Sequence, residues 1–140
     1  MNKNLEQIYR FTDISPLCAA MGMRVEHADH KGSRLVLPYS EHLIGDPQSR
    51  VIHGGAVSTL LDTTCGVAVM AIPEGGYETA TIDLRIDYMR PAAPDQDIIA
   101  EAEVYHVTQT VAFVRGRAWV SADKPVATAT GAFVFAARKT

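Results

Sequence analysis

The run from Val51 to Ile72 constrains this chain more than any other stretch. It is apolar or small almost throughout, Asp62 is its single Asp, Glu, Lys or Arg, and Pro73 with Gly75-Gly76 closes it. A carboxylate near the middle of a bilayer is costly, and Ser58, Thr59, Thr63 and Thr64 add polarity, which argues against a membrane span. The run is read instead as a buried central helix over Gly54–Ala71, about 27 Å long at the usual rise. At about 100° per residue, Val57, Leu60, Leu61, Thr64, Val67, Ala68 and Ala71 share one side and should face the core. The opposite side gathers Gly55, Ser58, Thr59, Asp62, Cys65, Gly66 and Val69. An ordinary solvent face would carry Lys, Glu and Arg. Small residues around one carboxylate instead admit another backbone or a narrow ligand, so Asp62 is expected in a crevice or interface.

Around this helix the periodicity is that of strands. Alternation over Ala80–Tyr88, Asp97–Val107, Thr110–Ser121 and Val126–Ala136 predicts four strands close enough in sequence to form an antiparallel meander. The first should be long and half-buried, ended by Pro91 and Pro94. Before the helix, Arg24–His30 and Ser33–Tyr39 flank Lys31-Gly32 as a hairpin, Glu41–Arg50 reads as a surface loop, and residues 1–22 suggest one or two short helices. With no βαβ alternation, the expectation is one α+β domain over residues 1–140, a curved antiparallel sheet wrapped around one helix.

Composition removes several classes of function. The 13 basic and 16 acidic residues leave a net charge of −3, with no positive field for a nucleic acid backbone. Cys18 and Cys65 fit neither a zinc site nor a disulfide framework, and no nucleotide-binding glycine motif occurs. His27 and His30 would not converge in strand geometry, so no metal is expected. The polar Met1–Arg10 segment lacks the pattern of a signal peptide, which predicts a cytoplasmic chain.

The chemistry concentrates at His53-Gly54-Gly55, immediately before the helix. Two glycines at a helix N-terminus leave backbone N–H groups unshielded where the helix dipole favours developing negative charge, as an oxyanion hole requires. The plain alternative is tight loop-to-helix packing with His53 as a cap. Asp62, on the same helix, can act as a general base toward water or as a nucleophile. Its structural alternative is an ion pair with a strand arginine such as Arg85 or Arg115. Serine-hydrolase chemistry finds no G-x-S-x-G elbow.

At these residues the chain resembles the hotdog-fold acyl-CoA thioesterases, in particular the phenylacetate-degradation type. The resemblance rests on Val51-Ile52-His53-Gly54-Gly55, Leu60-Leu61-Asp62, Thr81-Ile82-Asp83-Leu84 and Asp87-Tyr88-Met89-Arg90-Pro91-Ala92, and runs from about Leu35 to the C-terminus. It implies a sheet around a central helix, joined in a homodimer or dimer of dimers with acyl-CoA sites at the subunit interface and no cofactor. Carried over, Asp62 would attack the thioester or activate water, and the Gly54 N–H, with Gly55 beside it, would polarise the carbonyl. His53 would orient the loop or the thioester. Thr81 falls where the family can place a serine that positions water, supplied by the partner subunit. Many members carry an asparagine six residues before the histidine, where this chain has Pro47 between Asp46 and Gln48, so either Asp46 or Gln48 replaces it or that contact is absent. Arg90, Arg115 and Arg117, with Arg85, are candidates for the phosphates of coenzyme A, and Met23, Met70, Tyr77, Phe113 and Trp119 for the acyl pocket. The competing reading is a non-catalytic acyl-CoA binding module; a dehydratase of the same fold fits the spacing least well.

Overall fold

Pro16 opens and Gly22, at φ 74°, closes a short helix whose left-handed end suits a residue without Cβ. It is one of ten elements in the structure, a computed structural model that describes residues 3–137. In chain order these are α1 (Lys3–Ile14), α2 (Pro16–Met21), β1 (Arg24–Asp29), β2 (Gly32–Leu37), a 3-10 turn (Glu41–Leu43), α3 (Gly54–Met70), β3 (Gly75–Tyr88), β4 (Ile98–Val107), β5 (Val111–Ser121) and β6 (Lys124–Ala137). The six strands form one antiparallel sheet in the order β1-β2-β4-β5-β6-β3, curved around α3. This is the α+β arrangement expected from the sequence.

One detail differs. Only β4, β5 and β6 form a meander, because β2 occupies the edge of β4 and β3 pairs instead with the free side of β6. The sequence shows that a strand exists but not which edge is open to it.

The helix can sit close because the sheet is lined with small side chains where it passes. Leu35, Ala100, Ala118 and Ala127 form one row across β2, β4, β5 and β6. Ser33, Ala102, Gly116 and Ala129 form the next. Leu60, Leu61 and Val67, each fully buried, fill the space above. Ser33 Oγ donates to the Thr64 carbonyl at 2.7 Å, so the one hydroxyl in these rows is satisfied by the helix. A Cβ on Gly116 would lie 3.0 Å from the Glu101 carbonyl oxygen and 3.3 Å from Cys65 Sγ.

This packing divides α3 along its length rather than into two faces. Cys65, Gly66 and Val69, expected on the open side, are buried because the sheet curls around the C-terminal half. Only Gly55, Ser58, Thr59 and Asp62 keep exposure on that side.

Strand β3 is an edge, and its expected alternation gives way to exposure. Ile82 is 55% exposed at an irregularity between Thr81 and Asp83, where Asp83 Oδ1 accepts the Ala132 N–H at 3.0 Å. At the far edge Tyr9 of α1 accepts the Ala28 N–H at 3.1 Å, and Ile8 and Thr12 are buried beneath it. Among the described residues no helix is long and apolar enough to cross a membrane.

The close seat of α3 makes Gly116→Val costly, about 1–3 kcal/mol in urea unfolding, since the added methyls meet backbone and sulfur. Thr130→Val on the exposed outer face should change stability by no more than about 0.5 kcal/mol.

Candidate active site

The start of α3 is built by the loop before it. Ile44 bridges Ile52, the Gly45 N–H donates to the Val51 carbonyl at 2.9 Å, and the His53 N–H donates to the Leu43 carbonyl at 2.8 Å. A Cβ on Gly45 would fall 2.8 Å from His53 Cα, so glycine there lets the loop close on the histidine. His53 is the N-cap residue, extended at φ −57° and ψ 135°, and its Nδ1 accepts the Gly55 N–H at 2.8 Å. Accepting at Nδ1 requires a neutral ring with its proton on Nε2. Of the two glycine donors expected for an oxyanion, Gly55 is therefore engaged, while the Gly54 N–H has no acceptor among the described residues. The Gly54 carbonyl accepts from Tyr88 Oη at 2.8 Å and from Ser58 Oγ at 3.1 Å, and these two hydroxyls also touch each other.

Further along the helix Asp62 is exposed in the single chain. Thr81 Oγ1 donates to Asp62 Oδ1 at 2.7 Å. Thr81 thus reaches the carboxylate from its own chain, where the resemblance implies a partner. Asp62 Oδ2 has no protein partner among the described residues. The alternative ion pairs do not form: Arg85 meets Asp87 at 3.3 Å and Arg115 meets Glu103 at 3.4 Å. On the buried side of the same turn, burial and then the Asp62 charge push the Cys65 thiol up to about 12.

The other candidates lie apart. Arg115 and Arg117 flank Gly116, whose Cβ position faces Cys65 of α3, so both arginines point from the outer face of the sheet. There Arg115 stacks 4.3 Å from the Tyr105 ring and Arg117 4.5 Å from the Trp119 ring, beside an open trough of about 950 Å³. That trough is the larger cavity, but neither Asp62 nor Gly54 borders it. A smaller cavity of about 370 Å³ adjoins Gly54 and is walled by Val51, Val57, Tyr88, Met89, Arg90 and Ala92, among others. Arg90 is the candidate arginine that lines this cavity, its Nε donating to the Pro125 carbonyl at 3.2 Å.

Gln48 is exposed, and its backbone N–H donates to Asp46 Oδ1 at 3.1 Å. Asp46 also accepts from the Ser49 hydroxyl and backbone, and these bonds, the Ser49 hydroxyl first, hold its carboxyl below the usual range. The Asp46 carboxylate is thus committed to its own loop. Met23, Met70 and Trp119 are buried, Tyr77 packs edge-on against Phe11, and Phe113 stacks beside His106. His27 pairs with Asp29 at 3.0 Å rather than with His30. Among the described residues no three His, Cys, Asp or Glu side chains converge as metal ligands would.

Ser58 and Tyr88 were not singled out by the sequence as site residues. Their signal was faint, since Tyr88 simply continues an alternating strand.

The Thioesterase superfamily profile matches residues 50–127, a span holding His53, Gly54, Asp62, Thr81 and Tyr88. The chain belongs to the thioesterase superfamily. Its fold is the hotdog fold, one central helix wrapped by a six-stranded antiparallel sheet. A crystal structure of a Pseudomonas aeruginosa protein is 44% identical, with a TM-score of 0.83 over 97% of this chain and 99% of that one. A Halobacterium salinarum protein named as a candidate esterase is 39% identical over 87% of this chain and 79% of its own length. The medium/long-chain acyl-CoA thioesterase YigI of Escherichia coli is 27% identical over 54% of this chain. The match spans 57% of that enzyme's length.

The buried thiols yield a prediction. Ellman's reagent should label neither Cys18 nor Cys65 in the native protein and both in urea. Between roughly pH 8.5 and 12 the unfolded chain releases the Cys65 proton while the folded chain keeps it, so stability falls as pH rises. The urea midpoint should drop across that window more steeply in the wild type than in Cys65→Ala.

Proposed function

We propose that the protein hydrolyses an acyl-CoA or aryl-CoA thioester to the free acid and CoA. The observation that carries this reading is the pair of open groups on α3: a Gly54 N–H without an acceptor and an Asp62 oxygen without a partner. Thr81 orients the carboxylate through its other oxygen and keeps lone pairs free for a water. Asp62 then takes a proton from that water as it attacks the thioester carbonyl, or attacks directly to form an anhydride that water opens. The carbonyl oxygen gathers charge at the Gly54 N–H, where the helix dipole is favourable. The thiolate of CoA leaves and is protonated.

Geometry supports a homodimer as the working unit. Gly54 and Asp62 are separated by about 12 Å along the helix axis, whereas one carbonyl must lie within about 3 Å of the donor and of the attacking group. A single chain does not bring both to one carbon. Two copies packed with antiparallel helices would set Gly54 of one against Asp62 of the other, giving two equal sites, and a dimer of dimers repeats the arrangement. Arg90, at the cavity beside Gly54, is the favoured contact for the CoA phosphates. The aryl-CoA substrate of the phenylacetate-degradation type is supported by the motif resemblance, and the acyl-CoA class by the relatives' activities.

Thiol release from a panel of alkyl and aryl acyl-CoAs tests the proposal. Asp62→Asn should lower kcat at least about 10²-fold; full activity in that variant would exclude Asp62 from the chemistry. Gly54→Pro deletes the N–H at a helix position that accepts proline, after a residue already extended, and should cost about 10²- to 10³-fold in kcat with the fold intact. Neither variant alone is active, but mixed dimers of the two should recover one working site. Binding of acyl-CoA without turnover in the wild type would favour the non-catalytic module instead.

A further inference from the structure

We propose that Tyr88 is a positioning residue that clamps the peptide between Gly54 and Gly55, and so holds the turn of backbone from which the Gly54 N–H projects. The kinetic consequence rests on the hydrolase reading above; the clamp itself is a matter of geometry.

Two peptide planes meet at Gly54. The first joins His53 to Gly54, and its carbonyl accepts from the Ala56 N–H at 2.9 Å and more weakly from the Val57 N–H at 3.4 Å. A trans peptide points its N–H away from its carbonyl, so the Gly54 N–H is directed out of the helix. The second plane joins Gly54 to Gly55. With no Cβ on either side, it is the least restrained plane in the first turn. It is nevertheless held at both ends: Tyr88 Oη donates to its carbonyl at 2.8 Å, and its N–H donates to His53 Nδ1 at 2.8 Å. Rotation about the Gly54 backbone would have to break one of these bonds.

The tyrosine is suited to this role by its place. It is the last residue of β3, half exposed, and its ring lies 3.6 Å from where a Cβ on Gly54 would be, in ordinary contact with the start of the helix. Ser58 Oγ touches both Tyr88 Oη and the Gly54 carbonyl. Two hydroxyl protons serve three oxygen pairs, so with Tyr88 donating to the carbonyl, the single Ser58 proton goes either to the same carbonyl or to Tyr88, and both arrangements keep the tyrosine beside Gly54. Tyr88 also walls the cavity of about 370 Å³ beside Gly54. Its hydroxyl could therefore serve as a ligand contact instead, and the experiment separates the two roles.

Tyr88→Phe removes the hydroxyl and keeps the ring. The expected result is a fall in kcat of about 10- to 10²-fold with KM within about threefold, an unchanged thermal midpoint, and faster hydrogen exchange at the Gly55 amide by NMR. Ser58→Ala, which removes the hydroxyl beside Tyr88 but leaves Tyr88 to donate to Gly54, should lower kcat less than Tyr88→Phe does. Unchanged kcat and unchanged Gly55 exchange in Tyr88→Phe overturn the proposal, as does a rise in KM at constant kcat. A loss in Ser58→Ala as large as in Tyr88→Phe also overturns it. If the wild type releases no thiol from any substrate, the hydrolase reading fails and the amide measurement alone decides the clamp: equal Gly55 exchange in both proteins overturns it.

Discussion

The seating of α3 against the alanine, glycine and serine rows of the sheet is the contact on which everything else rests. Larger residues at Ala100, Ala118 or Gly116 would lift the helix, and the buried leucines would lose their neighbours on one side. The same closeness buries the Ser33 hydroxyl, and the Thr64 carbonyl supplies the acceptor it needs. Small residues thus matter in this fold chiefly on the sheet, where they admit the helix.

The reactive end of the helix follows from how far the sheet curls. It encloses α3 from Thr64 onward and leaves the turns before that partly uncovered, which is where Gly54 and Asp62 sit. A site built there inherits a rigid floor from the core and an open side for ligand. The edge strand β3 supplies the second half of that site, with Thr81 and Tyr88 each reaching the helix. Because β3 bonds to the sheet only through β6, these contacts lie on the most accessible flank of the sheet.

Much of this was readable beforehand. The helix over Gly54–Ala71 ends within a residue of its observed limit, because Pro73 and the glycines after it stop a helix locally. The four strands after the helix were visible in their alternation, although β3 begins at Gly75, ahead of the expected Ala80. The order of strands was not, since pairing of β3 with β6 depends on which edge is free after β2 takes its place. Angular projection placed Cys65 and Val69 with Asp62 because it counts degrees around the axis and ignores how the sheet bends along it. Alternation put Arg115 and Arg117 together but could not say on which face; Gly116 against Cys65 answers that. The Tyr88 contact joins residues distant in sequence through one hydroxyl, and no periodicity encodes it.

The two bonds between α3 and β3 carry a mechanical consequence. Gly54 meets Tyr88 and Asp62 meets Thr81, so strand and helix run in opposite directions between shared points of attachment. The helix covers its span in about 12 Å, while seven extended residues would cover about 23 Å. The strand is the longer member tied to a shorter strut, and its surplus is shared between the reach of the Tyr88 side chain and the bend of the strand, with the irregularity at Ile82 falling inside the tied segment. Curvature at this edge is thus a matter of lengths, and a change in either element's length would move both ends of the site together.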